Sequence, residues 1–162
     1  MDFQLTEEQT MIVDSLAKYA GNILEPIARE YRDLLIPKEK MRDIQRHLLD
    51  FGVGVGVVSE ELGGMGLDAV TMGLLQFEVA KVSPDIAITS LIQMTVGKLL
   101  PLVPAHLQEQ YVAPVLAGEK LGCVGMSEPG AGSQVTAVNC RAKLEGDGDV
   151  INGEKLWISS GD

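Results

Sequence analysis

Two short stretches carry residue types that chemistry could use: Met126-Ser127-Glu128-Pro129-Gly130-Ala131-Gly132-Ser133 and Trp157-Ile158-Ser159. In the first, an apolar run ends in a loop holding a proline, glycines and hydroxyls. Glycine lets a backbone approach a ligand closely, and serine hydroxyls with freed N–H groups suit a polar or phosphate-bearing partner. Composition alone favours an ordinary strand-to-strand loop over such a site. The second stretch sets the chain's only Trp beside a hydroxyl. Taken alone, that residue fits a core anchor as well as a stacking surface.

Other candidates carry less. Phe51-Gly52-Val53-Gly54-Val55-Gly56 is glycine-rich but departs from G-x-G-x-x-G and follows no strand. Glu60-Glu61-Leu62-Gly63-Gly64-Met65-Gly66 could hold a cation through its carboxylates, but its glycines read better as a turn between helices. His47 and His106 stand alone and are expected at the surface or rim, so no Ser/His/Asp or Cys/His set is available for nucleophilic hydrolysis. Cys123 and Cys140 lie 17 positions apart with no second pair and no neighbouring histidine. They define neither a disulfide framework nor a zinc site, and no metal is expected.

The elements that position these stretches divide into two textures. Residues 1–118 read as helices joined by short turns. Thr6 and Gln9 form a capping box at the first helix, with Leu5 placed for a hydrophobic staple. Ile12, Leu16, Tyr19 and Ile23 then share one face, Gly21 ends or bends the helix, and Pro26 opens a short successor. Pro37 opens the next helix, with Met41, Ile44, Leu48 and Phe51 inward and Gly52 as its stop. A helix over 68–82 is capped by Asp68, another runs from Pro84 until Pro101 breaks it, and a last spans 105–117 with Leu107, Tyr111, Val115 and Leu116 inward. Several are apolar on more than one side, as in a bundle. Residues 119–162 change period. Strands are expected at 121–126, 135–144, 149–152 and 155–159, with Asp147-Gly148 as a hairpin signal. The fold class is therefore α+β: an all-α bundle followed by the first antiparallel strands of an incomplete β-barrel-like domain. So few strands leave edges and an apolar face uncovered, and the sequence is expected to be part of a longer protein.

Composition narrows the function classes. Lys and Arg number 13 against 23 Asp and Glu, a net charge of −10 over 162 residues. Such acidity argues against nucleic acid and against docking on an anionic membrane. At 46% hydrophobic residues the chain can build a core. No leader or spanning segment is apparent. A bacterial cytoplasm is the expected compartment, the mitochondrial matrix of a mature eukaryotic protein being the alternative.

Taken in order, the segments resemble the acyl-CoA dehydrogenase family. The match runs from Leu5-Thr6-Glu7-Glu8-Gln9 through Glu60–Asp68 and Pro114-Val115-Leu116-Ala117-Gly118-Glu119 to Met126–Ser133 and Ile151-Asn152-Gly153-Glu154-Lys155-Leu156-Trp157-Ile158-Ser159. The S/T-E-P-x-A-G-S element followed by N-G-x-K-x-W-I-S/T is a specific pair. The resemblance implies an N-terminal helical domain over 1–118, part of a middle β domain over 119–162, and a C-terminal helical domain that is absent. It implies FAD as cofactor, contacted by Val124, Met126, Ser127, Gly132, Ser133, Trp157, Ile158 and Ser159, with Ser133 also offering its hydroxyl to the CoA portion of the substrate. Ser127 and Ser159 stand where many relatives have Thr, keeping the hydroxyl and losing a methyl. Ser59 stands where relatives often have Pro.

The implied reaction is α,β-dehydrogenation of an acyl-CoA thioester, with electrons passed to an electron-transferring flavoprotein and a homo-oligomeric full-length protein. It takes a proton from Cα and a hydride from Cβ to flavin N5, and needs a desolvated carboxylate base. In the family that base is a Glu of the C-terminal domain, so no catalytic residue is assigned to this chain and these residues alone are expected to be inactive. Glu128 belongs to the loop architecture instead. Two alternatives are a non-catalytic binding or assembly module of the same fold, and a related flavin oxidase or monooxygenase.

Overall fold

The computed structural model describes residues 4–161. They fall into two compact units, Met1–Gly122 and Cys123–Asp162. The first holds six α-helices among the described residues: α1 (Glu7–Tyr19), α2 (Glu25–Glu30), α3 (Lys38–Leu49), α4 (Ala69–Val82), α5 (Pro84–Leu99) and α6 (Ala105–Leu116). None is long and apolar enough to cross a membrane.

The caps follow the sequence closely. The Thr6 hydroxyl accepts from the Gln9 N–H while the Gln9 side chain accepts from the Thr6 N–H, a complete capping box. Leu5 remains exposed, because the position a staple would need is the polar Thr10. Asp68 caps α4 through the N–H groups of Val70 and Thr71, and Ser83 caps α5 ahead of Pro84. Thr71, whose hydroxyl also bonds Asp68, holds the Asp68 carboxyl below its ordinary range.

One periodicity fails for a definite reason. The turn Ala20–Leu24 is a π-helix, in which the Glu25 N–H reaches back five residues to the Ala20 carbonyl. This wider turn delays the rotation of the chain. Leu16, Ala20 and Leu24 therefore come round to the core, while Ile23 is 47% exposed. Gly21 neither ends nor caps the helix there. In α6 Val112 and Val115 are buried and Leu116 packs against them as expected, whereas Tyr111 is exposed.

The core of this unit has two parts. Leu16, Leu24, Ile44, Leu48, Leu75, Val79 and Ile86 join α1, α3, α4 and α5. Val55, Val58, Leu100, Val112 and Val115 join α6 to the segment after α3. A polar link crosses the first: Gln45 donates to the Ile86 carbonyl (3.2 Å) and accepts from the Ser90 hydroxyl (2.9 Å), all three residues being buried. The 59–66 segment is the glycine-shaped turn expected. Gly63 is left-handed at φ 82°, and a methyl on Gly64 would overlap the Val58 carbonyl.

The second unit contains β1 (Arg141–Glu145) and β2 (Gly148–Asn152), paired antiparallel from Arg141↔Asn152 to Glu145↔Gly148. The hairpin loop is thus Gly146-Asp147, one residue earlier than the Asp-Gly signal suggested. Gly146, at φ 63°, supplies the positive φ of its first central position. The other expected strands do not form ladders. Val135–Ala137 is a 3-10 turn, so pairing starts only at Arg141. The Gly122 carbonyl and N–H are both bonded by the Gln93 side-chain amide, and Trp157 at φ 54° departs from extended backbone.

Candidate functional site

The start of the first stretch lies beside the residues that lead into the second, within the second unit. The Leu156 N–H donates to the Ser127 carbonyl (2.9 Å), and the Lys155 ammonium donates to the Met126 carbonyl (3.1 Å). A methyl placed on Gly125 would sit 3.3 Å from Ile158 Cδ1. The structure therefore brings Met126 and Ser127 beside Lys155 and Leu156, and Gly125 beside Ile158. Gly132 and Ser133, at the far end of the first stretch, are exposed, and no hydrogen bond among the described residues ties them to Lys155–Ser159.

The loop is closed by its own backbone and by one carboxylate. Glu128 and Ala131 exchange N–H···O bonds of 3.0 and 3.1 Å, which makes a tight turn through Pro129-Gly130. Glu128 is buried, and its carboxylate accepts from the N–H groups of Asn139 (2.6 Å) and Cys140 (2.9 Å) and from Lys155 Nζ (2.9 Å). The Asn139 bond, then Lys155 and the Cys140 bond, pull its carboxyl from 4.5 down to about 2, against the opposing effect of desolvation. An oxygen pair so engaged is a poor proton acceptor near neutrality.

The remaining polar groups are free to meet a ligand. The side chains of Ser127, Ser133 and Ser159 make no hydrogen bond among the described residues. Val124, Ser127 and Ile158 are half-buried, whereas Met126, Gly132, Ser133 and Ser159 are exposed. Trp157 is 85% exposed among the described residues and anchors no core formed by them. A non-glycine residue at φ 54° is uncommon, and for a bulky one it marks strain that functional sites often store. Trp157 presents a flat aromatic face two residues ahead of the unpaired Ser159 hydroxyl, which suits a planar ligand with a polar rim.

Two residues of the site were not assigned from sequence with the role they have. Sequence places Glu128 in the loop architecture and Lys155 in a motif, and the ion pair that joins them is what the structure adds. Their signal was present as opposite charges, Glu128 inside the first stretch and Lys155 two positions ahead of the second.

Comparison with known proteins names the scaffold. The family model described as acyl-CoA dehydrogenase, N-terminal domain, matches residues 6–119, and the chain belongs to the acyl-CoA dehydrogenase family. It is similar to the mitochondrial short-chain specific acyl-CoA dehydrogenase of Mus musculus, 29% identical over 97% of this chain and 38% of the relative. The benzylmalonyl-CoA dehydrogenase of Aromatoleum aromaticum is 33% identical over 99% of this chain and 42% of the relative. Among solved structures, an acyl-CoA dehydrogenase complexed with FAD from Bacillus anthracis superposes with a TM-score of 0.81 at 26% identity, covering 97% of this chain and 27% of that one. The chain spans about two fifths of the length of the curated relatives it matches.

Proposed function

We propose that this chain contributes the helical domain over 1–118 and part of the flavin-contacting β domain over 119–162 of an FAD-dependent acyl-CoA dehydrogenase. The observation that carries the proposal is the pairing of Met126–Ser127 with Lys155–Leu156 on the scaffold of that family. It sets two stretches rich in free donors, and one exposed indole, on neighbouring backbone. The division into units at Gly122 supports the domain boundary.

FAD, when bound, supplies the hydride-accepting chemistry. The chain's own residues hold and polarise it. Val124 and Ile158 offer apolar contact, and Trp157 offers its ring face. The hydroxyls of Ser127 and Ser159 and the backbone N–H of Met126 are donors with no partner among the described residues. Such preset donors favour negative charge developing on a neighbouring group, because they need no reorganisation to meet it. Gly130, Gly132 and Ser133 form an open stretch, since a methyl at either glycine would meet nothing within 4 Å. Ser133 there is the hydroxyl proposed for the CoA portion. The proton acceptor is not proposed among these residues, since Glu128 is held as a closed, low-pKa carboxylate.

The substrate is accordingly an acyl-CoA thioester, oxidised between Cα and Cβ, with an electron-transferring flavoprotein as acceptor and a homo-oligomer as the working form. Anaerobic addition of acyl-CoA to the flavin-loaded full-length protein tests this. Bleaching of the flavin band and formation of the enoyl thioester are expected. Protein that takes up no flavin and leaves acyl-CoA unoxidised overturns the proposal.

A further inference from the structure

One side chain spans both stretches of the site. The Lys155 ammonium donates to the Met126 carbonyl (3.1 Å) and to the Glu128 carboxylate (2.9 Å), so it grips the first stretch on either side of Ser127. The next residue's N–H, that of Leu156, takes the Ser127 carbonyl itself (2.9 Å), and Trp157 follows directly. At the other end of the ion pair Glu128 is fixed by two further donors, the N–H groups of Asn139 and Cys140. The pair is well enclosed, with side-chain exposures of 26% for Lys155 and 6% for Glu128. Exposed surface pairs contribute little, but an enclosed pair whose members each hold other partners fixes geometry.

From this arrangement we propose that Lys155 and Glu128 are positioning residues for the cofactor face. Lys155 sets the spacing between Met126–Ser127 and Trp157–Ser159, while its charge cancels that of the buried Glu128 carboxylate. The inference rests on the flavin reading given above. It separates two effects of one side chain. Losing the Lys155 donors loosens the spacing and weakens FAD binding. Losing its charge leaves Glu128 ionised and uncompensated near the flavin, because two backbone N–H groups still hold it. An added negative charge opposes reduction, so the flavin potential falls.

The test uses the full-length, FAD-loaded protein and four variants, with FAD affinity, flavin reduction potential and a circular-dichroism melt for each. Lys155→Met is expected to weaken FAD binding about 10-fold or more, the scale of a charge-assisted hydrogen bond, and to move the potential negative. Lys155→Arg, which keeps charge and donors, is expected to recover most of both. The double variant Lys155→Met/Glu128→Gln removes both charges, and is expected to restore the potential while affinity stays low. If Lys155→Met does not fold, Lys155→Gln, neutral but still a donor, takes its place in the comparison. Lys155→Met with unchanged affinity and potential overturns the proposal, as does a double variant whose potential stays with that of Lys155→Met. Wild-type protein that binds no FAD refutes the flavoprotein reading, and the positioning role with it. Wild-type protein that binds FAD beside indifferent variants refutes the positioning role alone.

Discussion

Trp157→Gly is the substitution whose outcome is least like ordinary Trp removal. A buried Trp cut to a small residue costs about 3–5 kcal/mol, but Trp157 is 85% exposed and its backbone is left-handed at φ 54°. Holding an L-residue there costs about 1–2 kcal/mol, which glycine escapes. Glycine in turn loses about 0.5–1 kcal/mol more chain freedom on folding. The small part of the indole that is covered contributes at most about 1 kcal/mol at the usual coefficient per unit area. These contributions nearly cancel, so the net change in stability is expected to stay within about 1 kcal/mol of zero. Trp157→Ala supplies the control, since it removes the ring and keeps the strain. Glycine is therefore expected to be more stable than alanine at this position by about 0.5–1 kcal/mol, reversing the order found in ordinary backbone. Urea titration followed by circular dichroism measures both variants, because the chain's only Trp is gone and its fluorescence with it. Both should weaken FAD binding by about 1 kcal/mol, the scale of one aromatic contact. A loss of 3 kcal/mol or more in the glycine variant, or a glycine variant less stable than alanine, would refute the reasoning; ~3 kcal/mol is where buried-Trp behaviour begins.

Three further outcomes follow from named contacts. Gln93→Leu keeps the volume but strips both partners from Gly122, whose N–H and carbonyl are bonded by the Gln93 amide at 2.9 and 3.0 Å; unfolding should cost about 1–3 kcal/mol less by urea titration, and an unchanged midpoint contradicts it. Gly64→Ala would drive a methyl into the Val58 carbonyl and should destabilise the first unit by about 2–3 kcal/mol, visible as a lowered melting temperature. The Glu128 carboxyl is depressed in the folded chain, so its anchoring is complete above its ordinary value of 4.5 and is lost as pH falls towards about 2. The protection of the Asn139 and Cys140 amides, measured against their intrinsic exchange rate at each pH, should hold from neutrality to about pH 4.5 and fall only below it; early loss on the neutral side would count against the three-donor account.

What could be read from the sequence was mainly local. Caps at Thr6 and Asp68 need only neighbours within three positions, and both formed, while Ser83 adds a third cap ahead of Pro84. The π turn at Ala20–Leu24 could not be read, because its signal is a one-residue slip that favours Leu24 over Ile23, and both are equally apolar. Strands failed where long-range partners decide. The segment 121–126 is apolar enough for a ladder, but Gly122 is taken by a glutamine 29 positions earlier. At the site, the motif stretches were visible by type, whereas the joint work of Glu128 and Lys155, 27 positions apart, depends on folded geometry.

The clip between Gln93 and Gly122 has a consequence for the order in which the first unit is built. Gln93 is buried in α5, and its amide has both partners only when the backbone of Gly122 arrives. A buried amide without partners is costly. During synthesis, therefore, α1 to α6 can collapse as soon as they emerge, but the bundle stays short of its final polar pairing until residue 122 has cleared the ribosome. Gly122 thus acts as a completion signal: the helical unit locks at the moment the next one begins to appear.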